Sequence, residues 1–258
     1  MLEPFFWMFH LKDFKKHFLF IFLLGLISYV LGFALIYTPI PKEIGALVTA
    51  LLWVLPAIYT AGYFWNLTEE IINRDWDIIL HNIYDGIIKE YYEIQLPELN
   101  IGKNIWRGIA SIVAMTLLWI PFVIIIWMGV MSHVFMSLPR IAAILIPLFF
   151  AFFAPALLWN YAYKNSIVSV WNIRKAIYLM GNYPFRYLFN TIIFIILAAA
   201  SSFIDGFAGN FMKVAFTSGD IVGMILSALI LFLLTVKNIY LIYVYAYLLG
   251  TIAPTSES

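Results

Sequence analysis

The chain of 258 residues contains no cysteine. This absence excludes disulfide bonds, thiolate zinc sites, iron–sulfur clusters and covalent attachment of a c-type haem. Charged residues are also scarce, at 11% of the chain, whereas a soluble domain carries roughly 25%. The formal net charge is only +1, so the chain has no overall attraction for nucleic acid, and nucleic-acid binding is not expected.

Apolar residues take the place of the missing charges, since 64% of the chain is hydrophobic. A helix needs about 20 apolar residues to cross a bilayer, and six segments meet this requirement. Backbone groups cannot stay unpaired in hydrocarbon, so each segment is expected to be a helix. We predict an all-α polytopic membrane protein, a single domain of six transmembrane helices arranged as three hairpins. The predicted spans are Phe18–Tyr37, Ile44–Asn66, Gly108–Met131, Leu138–Tyr163, Tyr187–Ile204 and Ile221–Leu249.

Lysine and arginine residues are distributed unevenly over the two sides that six crossings define. Eleven lie on the side of the two termini, and only Lys42, Arg140 and Lys213 lie on the other, with Lys237 set aside because it is within a span. Cytoplasmic segments of membrane proteins carry an excess of these residues. We therefore expect both termini in the cytoplasm.

An acidic segment, Leu67–Glu98, follows the second predicted span. It holds eight carboxylates against two cations, and its isoleucines recur at helical spacing. This pattern predicts an amphipathic cytoplasmic helix with an acidic face. Such a face is a candidate docking surface for a partner protein. The candidate docking residues are Glu69, Glu70, Asp75, Asp77 and Asp85.

Cationic, partly apolar sequence precedes the first helix of each hairpin, at Phe5–His17, Ile101–Arg107 and Trp171–Arg186. These segments are expected to form elbow helices in the headgroup layer. Residues 164–186 hold four cations and no acid, which favours contact with anionic lipid at about 1 kcal/mol per cation. The candidate headgroup contacts are Lys15, Lys16, Lys164, Arg174, Lys175 and Arg186.

Short motifs in both halves of the chain resemble a family of six-span prokaryotic membrane proteins, the domain-of-unknown-function family four-thousand-and-thirteen. In the second half they are Tyr161-Ala-Tyr, Trp171-Asn-Ile-Arg-Lys, Gly181-Asn-Tyr-Pro and Tyr187-Leu; in the first half they are Gly62-Tyr63, Leu96-Pro-Glu and Trp106 with Gly108. The resemblance implies the six-span fold, the elbows and a prokaryotic cytoplasmic membrane. About 33 residues separate Gly62-Tyr63 from Leu96, more than the family's short connection, so the acidic segment is interpreted as an insertion. The family has no assigned activity, and the resemblance transfers no catalytic residue.

Lys237 is the sharpest candidate for a polar site, because an ammonium group at the centre of a span costs about 2.5–3.5 kcal/mol. In one interpretation it forms an intramembrane substrate or ion site with Asn238, Tyr240, Asn160 and the acid Asp205, which is expected in an outer loop. In the other, which we favour, it extends to the headgroups or makes a structural bond.

Residues that would support catalysis or metal binding are not clustered in the sequence. The four histidines are scattered over different segments, without the paired spacing that metal hydrolysis requires, and no serine has a histidine at a plausible spacing. We expect no enzyme activity, no metal and no cofactor. The preferred hypothesis is a membrane scaffold or accessory subunit that contacts lipids, other membrane proteins or a second copy of itself. The alternative is a small-molecule or lipid transporter with a polar site near Lys237.

Overall fold

The structure is a computed structural model that describes residues 7–11, 13–36, 41–73, 96–131, 152–218 and 221–253. Every regular element in these ranges is a helix, which confirms the predicted all-α class for this part of the chain. Two short 3-10 turns, Trp7–His10 and Ile167–Trp171, accompany the α-helices. In chain order the α-helices are α1 (Phe14–Ile36), α2 (Lys42–Ile72), α3 (Ile101–Met131), α4 (residues 152–164), α5 (Ile173–Asn182), α6 (Pro184–Ser218) and α7 (Ile221–Gly250).

Two helical stretches within the described residues are long and apolar enough to cross a membrane. They are Pro184–Met212 in α6, with 29 residues, and Ile225–Gly250 in α7, with 26 residues. A membrane location is therefore indicated. Residues 18–36 of the first predicted span lie in α1, and the second and third spans lie in α2 and α3; Tyr37 and residues 138–151 of the fourth span lie outside the described part. Six crossings remain a prediction.

Helices α2 and α3 approach each other closely at two glycines. A Cβ atom at Gly62 would overlap the backbone carbonyl of Asn104, and one at Gly108 would overlap the carbonyl of Ile58. Without side chains at these two positions the backbones can come into direct contact, as small residues allow between membrane helices. This pair of glycines fixes α2 against α3 at their predicted cytoplasmic ends.

Helix α3 begins at Ile101, where the side chain of Asn100 accepts a hydrogen bond of 3.0 Å from the backbone N–H of Lys103. Asparagine in this position satisfies one of the free N–H groups of the first turn. The helix then continues without a break to Met131. The expectation of a separate elbow at Ile101–Arg107 is therefore wrong, because those residues form the first turns of α3.

Two predicted boundaries also differ from the structure. Asp205 and residues 206–210 were expected in an outer loop, yet α6 continues through them to Ser218. Phenylalanines 203, 207 and 211 recur every four residues there, and an apolar helix satisfies its own backbone hydrogen bonds despite the glycines. Helix α2 continues past the predicted span to Ile72, so Glu69 and Glu70 lie in its last turns. Residues 74–95 of the acidic segment, including Asp75, Asp77 and Asp85, lie outside the described residues.

The buried residues form two clusters. One joins α1, α2 and α7 around Trp7, Tyr63 and Tyr243. The other joins α2, α3, α4 and α5 around Trp159 and Tyr161. Helix α2 contributes to both clusters and contacts α1, α3 and α7, whereas α6 packs mainly on α7. Helix α2 is therefore the central element of the described bundle.

Candidate functional site

A cavity of about 360 Å³ lies between α1, α2 and α7. Of the described residues that line it, four are polar and uncharged, the others are apolar or glycine, and none is ionisable. The polar lining residues are Ser28, Thr60, Thr235 and Asn238.

Hydrogen bonds within the helices leave a defined set of polar groups for the cavity. Ser28 Oγ donates to the Leu24 carbonyl at 2.7 Å, and Thr235 Oγ1 donates to the Leu231 carbonyl at 2.8 Å. Both hydroxyl protons are thereby used, so these oxygens face the cavity as acceptors. The Asn238 amide is exposed and has no hydrogen-bond partner among the described residues. Donors and acceptors are thus both present.

Pro56 lines the same cavity from the interior of α2. Because proline has no backbone N–H, the carbonyl four residues earlier, at Leu52, loses its helical donor. Ala57, the next residue, is small and exposed and also lines the cavity. The combination of a proline and small residues on facing helices explains why space remains between α1, α2 and α7.

A hydrogen-bonded chain of three side chains joins the same helices next to the cavity. The His17 Nδ1 atom lies 3.1 Å from the Tyr63 hydroxyl, which lies 3.0 Å from the Tyr243 hydroxyl. All three residues are buried. In sequence they are close to lining residues of each helix, since Tyr63 follows Thr60 by one helical turn and Tyr243 follows Ile242 directly. The chain of hydrogen bonds therefore lies beside the cavity, toward the predicted cytoplasmic ends of these helices, and none of its three residues lines the cavity.

His17 precedes the predicted first span, and its pKa is lowered from the ordinary value of 6.5. The largest cause is burial, which disfavours the charged ring, and the neighbouring Lys16 lowers the pKa further; Asp13 acts in the opposite direction. The ring is therefore neutral at physiological pH. A neutral ring fits a partner such as the Tyr63 hydroxyl, which both donates and accepts hydrogen bonds.

Lys237 points away from the cavity and toward α6. Its Nζ atom lies 2.5 Å from Asp205 Oδ1 and 2.9 Å from Ser201 Oγ. Ser201 also donates to the second carboxylate oxygen of Asp205 at 3.3 Å. Of the two interpretations of Lys237, the arrangement matches the structural bond, with Asp205 on a helix and not in a loop.

The predicted polar site of Lys237, Asn238, Tyr240 and Asn160 is not assembled in one place. Asn238 lines the cavity, Lys237 bonds to α6, and Tyr240 is not a lining residue. Asn160 is buried in the other cluster, where its side chain donates to the Asn172 carbonyl at 3.0 Å. There it links α4 to the start of α5. Neighbours in sequence such as Lys237 and Asn238 point about 100° apart on a helix, which a sequence pattern does not resolve into separate sites.

A second polar cluster that sequence reasoning did not identify surrounds Arg107, which is 4% exposed. Its guanidinium donates to Glu69 at 2.6 Å and to the Ala162 carbonyl at 3.4 Å, and it lies 5.7 Å from the centre of the Tyr161 ring. One turn away, the Asn66 amide donates to the Asn104 side chain at 2.6 Å. Glu69, predicted as a docking residue, is therefore engaged within the bundle, whereas Glu70 in the same turn is half-buried.

Four of the six predicted lipid contacts lie in or next to α5, and the other two, Lys15 and Lys16, lie in the first turn of α1. Its exposed face carries Ile173, Arg174 and Ile177, while Asn172 caps the helix by accepting from the Lys175 backbone N–H at 3.0 Å. The Lys175 ammonium lies 5.5 to 5.9 Å from the centres of three aromatic rings, so it is held against the protein. Of the other predicted headgroup contacts, Arg186 is partly buried and the rest are exposed; these are Lys15, Lys16 and Lys164.

Within the described ranges, no group of three histidine, aspartate or glutamate side chains is arranged to hold a metal ion. His10 ends the first 3-10 turn and His17 lies in α1, while His81 and His133 lie outside the described residues. No family model, curated protein sequence or solved structure matches the chain. The resemblance to the domain-of-unknown-function family four-thousand-and-thirteen therefore stays a prediction.

Proposed function

We propose that the chain is a non-enzymatic, six-span protein of the prokaryotic cytoplasmic membrane, with both termini in the cytoplasm, that acts as a scaffold or accessory subunit of a membrane assembly. The observation that carries this proposal is the ion pair of Lys237 and Asp205. The Asp205 side chain is 47% exposed, and it lies between the exposed Phe203 and Phe207.

A charge that faces hydrocarbon is costly, at about 2.5–3.5 kcal/mol at the centre of a helix. A neighbouring protein helix that covers the carboxylate removes the contact with lipid. The surface beside Asp205 suits close approach, because Gly206 and Gly209 are exposed and a Cβ atom at either would meet nothing within 4 Å. Residues 198–202 of the same helix are alanine or serine. Small residues of this kind are typical of contacts between membrane helices.

Cross-linking in the native membrane tests this role directly, since the chain has no cysteine of its own. Single cysteines, introduced as Gly206→Cys or Gly209→Cys, are treated with a bismaleimide in intact membranes. We expect a cross-linked product that contains a second copy of the chain or another membrane protein. The matched control is Val222→Cys, at an exposed position of α7. Equal cross-linking at all three positions would contradict the proposal. A strictly monomeric particle after purification in mild detergent would also contradict it.

Anionic lipids are the second proposed partner, at the surface around α5. The exposed apolar residues Val168, Ile177 and Phe185 accompany cations there, and residues 164–186 contain no acid. Trp171 is also exposed, and because the chain has nine tryptophans, the part of the fluorescence that is lost in Trp171→Phe reports lipid contact at this residue. We expect stronger quenching by brominated phosphatidylglycerol than by brominated phosphatidylcholine. In Arg174→Gln the difference in quenching between the two lipids should be smaller. The same quenching by both lipids argues against this partner.

A partner protein at the acidic segment is proposed from sequence alone, with Glu70, Asp75, Asp77 and Asp85 as its contact residues. Transport of a small molecule or lipid is the second candidate function, and the cavity lined by Asn238 supports it. In proteoliposomes, transport of a fluorescent lipid that is lost in Asn238→Leu and weakened in Lys237→Met would favour transport over scaffolding. If the fluorescent lipid crosses empty liposomes at the same rate, this second candidate function is contradicted.

A further inference from the structure

We propose that the cavity between α1, α2 and α7 is a binding site for an uncharged amphiphile, whose terminal hydroxyl group enters the cavity while its hydrocarbon body stays in the membrane. The proposal goes beyond the scaffold role, because it assigns a ligand to a site that is separate from the surface around Asp205. It rests on the size, the charge and the hydrogen-bonding groups of the cavity.

The volume of about 360 Å³ lies within the range of small-molecule sites, about 300–1,000 Å³. It exceeds what one or two bound waters fill, since each occupies about 30 Å³ in the liquid. Apolar walls formed by Ile21, Pro56, Ile239 and Ile242 suit the first methylene groups next to a terminal hydroxyl. The site therefore accommodates the end of a chain-like molecule.

The lining residues that the structure describes include no ionisable side chain, so they offer no counter-charge to a charged headgroup. A phosphate, a carboxylate or an ammonium group in this cavity would have no counter-charge, and transfer of an unpaired charge into apolar surroundings is strongly unfavourable. The charges nearest in sequence point elsewhere, because Lys237 is bound to Asp205 and Ser201 on α6. The occupant is thus neutral.

The available polar groups fit a hydroxyl. The Asn238 amide and the Thr60 hydroxyl supply donors, whereas the oxygens of Ser28 and Thr235 have already donated their protons to their own helices and act as acceptors. A single hydroxyl group both accepts from a donor and donates to an acceptor. A ketone or ether only accepts, and would leave the serine and threonine oxygens without a donor. The geometry points to an alcohol.

Access to the cavity runs along the surface between α2 and α7. Ala57 and Asn238, which line it from these two helices, are exposed, whereas Ile21 and Ile239 are buried. The hydrogen-bonded chain of His17, Tyr63 and Tyr243 lies toward the predicted cytoplasmic ends of the same helices. A long-chain alcohol therefore enters from the side with its hydroxyl first, and its tail remains outside.

Photolabelling with a diazirine derivative of hexadecanol tests the site in the purified full-length protein in nanodiscs. Mass spectrometry of the peptides locates the adducts. We expect them in residues 21–28, 56–60 and 235–242, and we expect unlabelled hexadecanol to compete. Hexadecylamine, which carries a charge, should compete at least about tenfold less well.

Two variants make the test specific. Ala57→Trp fills the cavity and should abolish labelling there, while Asn238→Leu removes the donor amide and should weaken competition by hexadecanol about fivefold. Asn238 is exposed, so its replacement leaves the fold intact even if Ala57→Trp does not. Leu233→Trp, at an exposed position of α7, is the matched control and should label like the wild type. Adducts spread evenly over the exposed faces of α6 and α7, or wild-type labelling in Asn238→Leu, would overturn the proposal.

Discussion

The hydroxyl groups of Tyr63 and Tyr243 lie 3.0 Å apart, although 180 residues separate the two tyrosines in the chain. His17 extends the contact to a third helix, because its Nδ1 atom lies 3.1 Å from the Tyr63 hydroxyl. The rings of Phe14 and Trp7 pack on Tyr243 and shield the chain of hydrogen bonds. Side chains from three helices are therefore joined at one point, beside the cavity.

Replacement of the middle residue of this chain should be the most costly. Tyr63→Phe leaves both His17 and Tyr243 without their partner, so we expect it to lower the free energy of unfolding by about 1–3 kcal/mol. Tyr243→Phe leaves the His17–Tyr63 hydrogen bond in place and should cost less. Thermal unfolding in detergent, monitored by circular dichroism, ranks the stabilities of the variants. Tyr178→Phe, at an exposed ring, is the control, and an equal loss in all three variants would refute the ranking.

The contact between α2 and α3 should tolerate no side chain. Gly62→Ala and Gly108→Ala each place a Cβ atom against a backbone carbonyl, which cannot move like a flexible side chain. We expect each to lower the free energy of unfolding by about 1–3 kcal/mol or more.

Gly181→Ala in α5 is the matched control for these two variants, because a Cβ atom there meets nothing within 4 Å. Alanine is the better helix former by about 0.5–1 kcal/mol, so this variant should be neutral or slightly stabilising. Size-exclusion chromatography compares the variants: we expect lower yield and monodispersity for Gly62→Ala and Gly108→Ala than for Gly181→Ala. If Gly62→Ala and Gly181→Ala behave alike, the close contact of the two helices is contradicted.

The stability of the protein should depend on pH through His17. Its folded-state pKa lies below 6.5, so between these two values the unfolded chain binds more protons than the folded one. The contribution of His17 is complete above about pH 6.5 and is lost as the pH falls through the folded-state pKa. Melting temperatures between about pH 5 and pH 8 should fall toward acid in the wild type and fall less in His17→Gln. Parallel curves for the two proteins would exclude this role.

Arg107 should not be replaceable by another cation. Arg107→Met removes the partner of Glu69 and the donor to the Ala162 carbonyl, with an expected loss of roughly 2–4 kcal/mol. Arg107→Lys should recover only part of this loss, because an ammonium group cannot reproduce the planar fork that reaches both acceptors. Arg174→Met, at an exposed position of α5, is the control. Urea or heat titrations in detergent measure the differences, and full recovery by lysine would contradict the geometry.

The helical class could be predicted from the sequence. Apolar runs of bilayer length must pair their own backbone hydrogen-bonding groups in lipid, and a helix does so. The sequence does not predict where α6 ends. Glycines near Asp205 suggested a loop, but neighbouring phenylalanines extend the helix, so that Asp205 comes within 2.5 Å of Lys237. A charge in an apolar helix indicates that the charged group needs a partner. The sequence does not indicate which helix supplies that partner.

Long-range pairings were the part that could not be derived. In the sequence Gly62 and Gly108 are only parts of short motifs, whereas their contact depends on the crossing of α2 and α3. Likewise Asn238 and Lys237 were grouped because they adjoin in sequence, whereas a helix turns them toward different neighbours. His17 was judged only as a potential metal ligand, and its role as a hydrogen-bond partner of Tyr63 required the packed structure.

The membrane arrangement is the claim on which the proposed roles depend, and labelling of single cysteines tests it most directly because the chain has none of its own. A maleimide that cannot cross membranes is added to intact cells that carry one substituted position at a time. The account predicts labelling from outside for Lys42→Cys and Ser137→Cys, and none until the cells are opened for Lys103→Cys, Lys164→Cys and Ser256→Cys. Labelling of Lys164→Cys and Ser256→Cys from opposite sides, or of all five positions from one side, would contradict it.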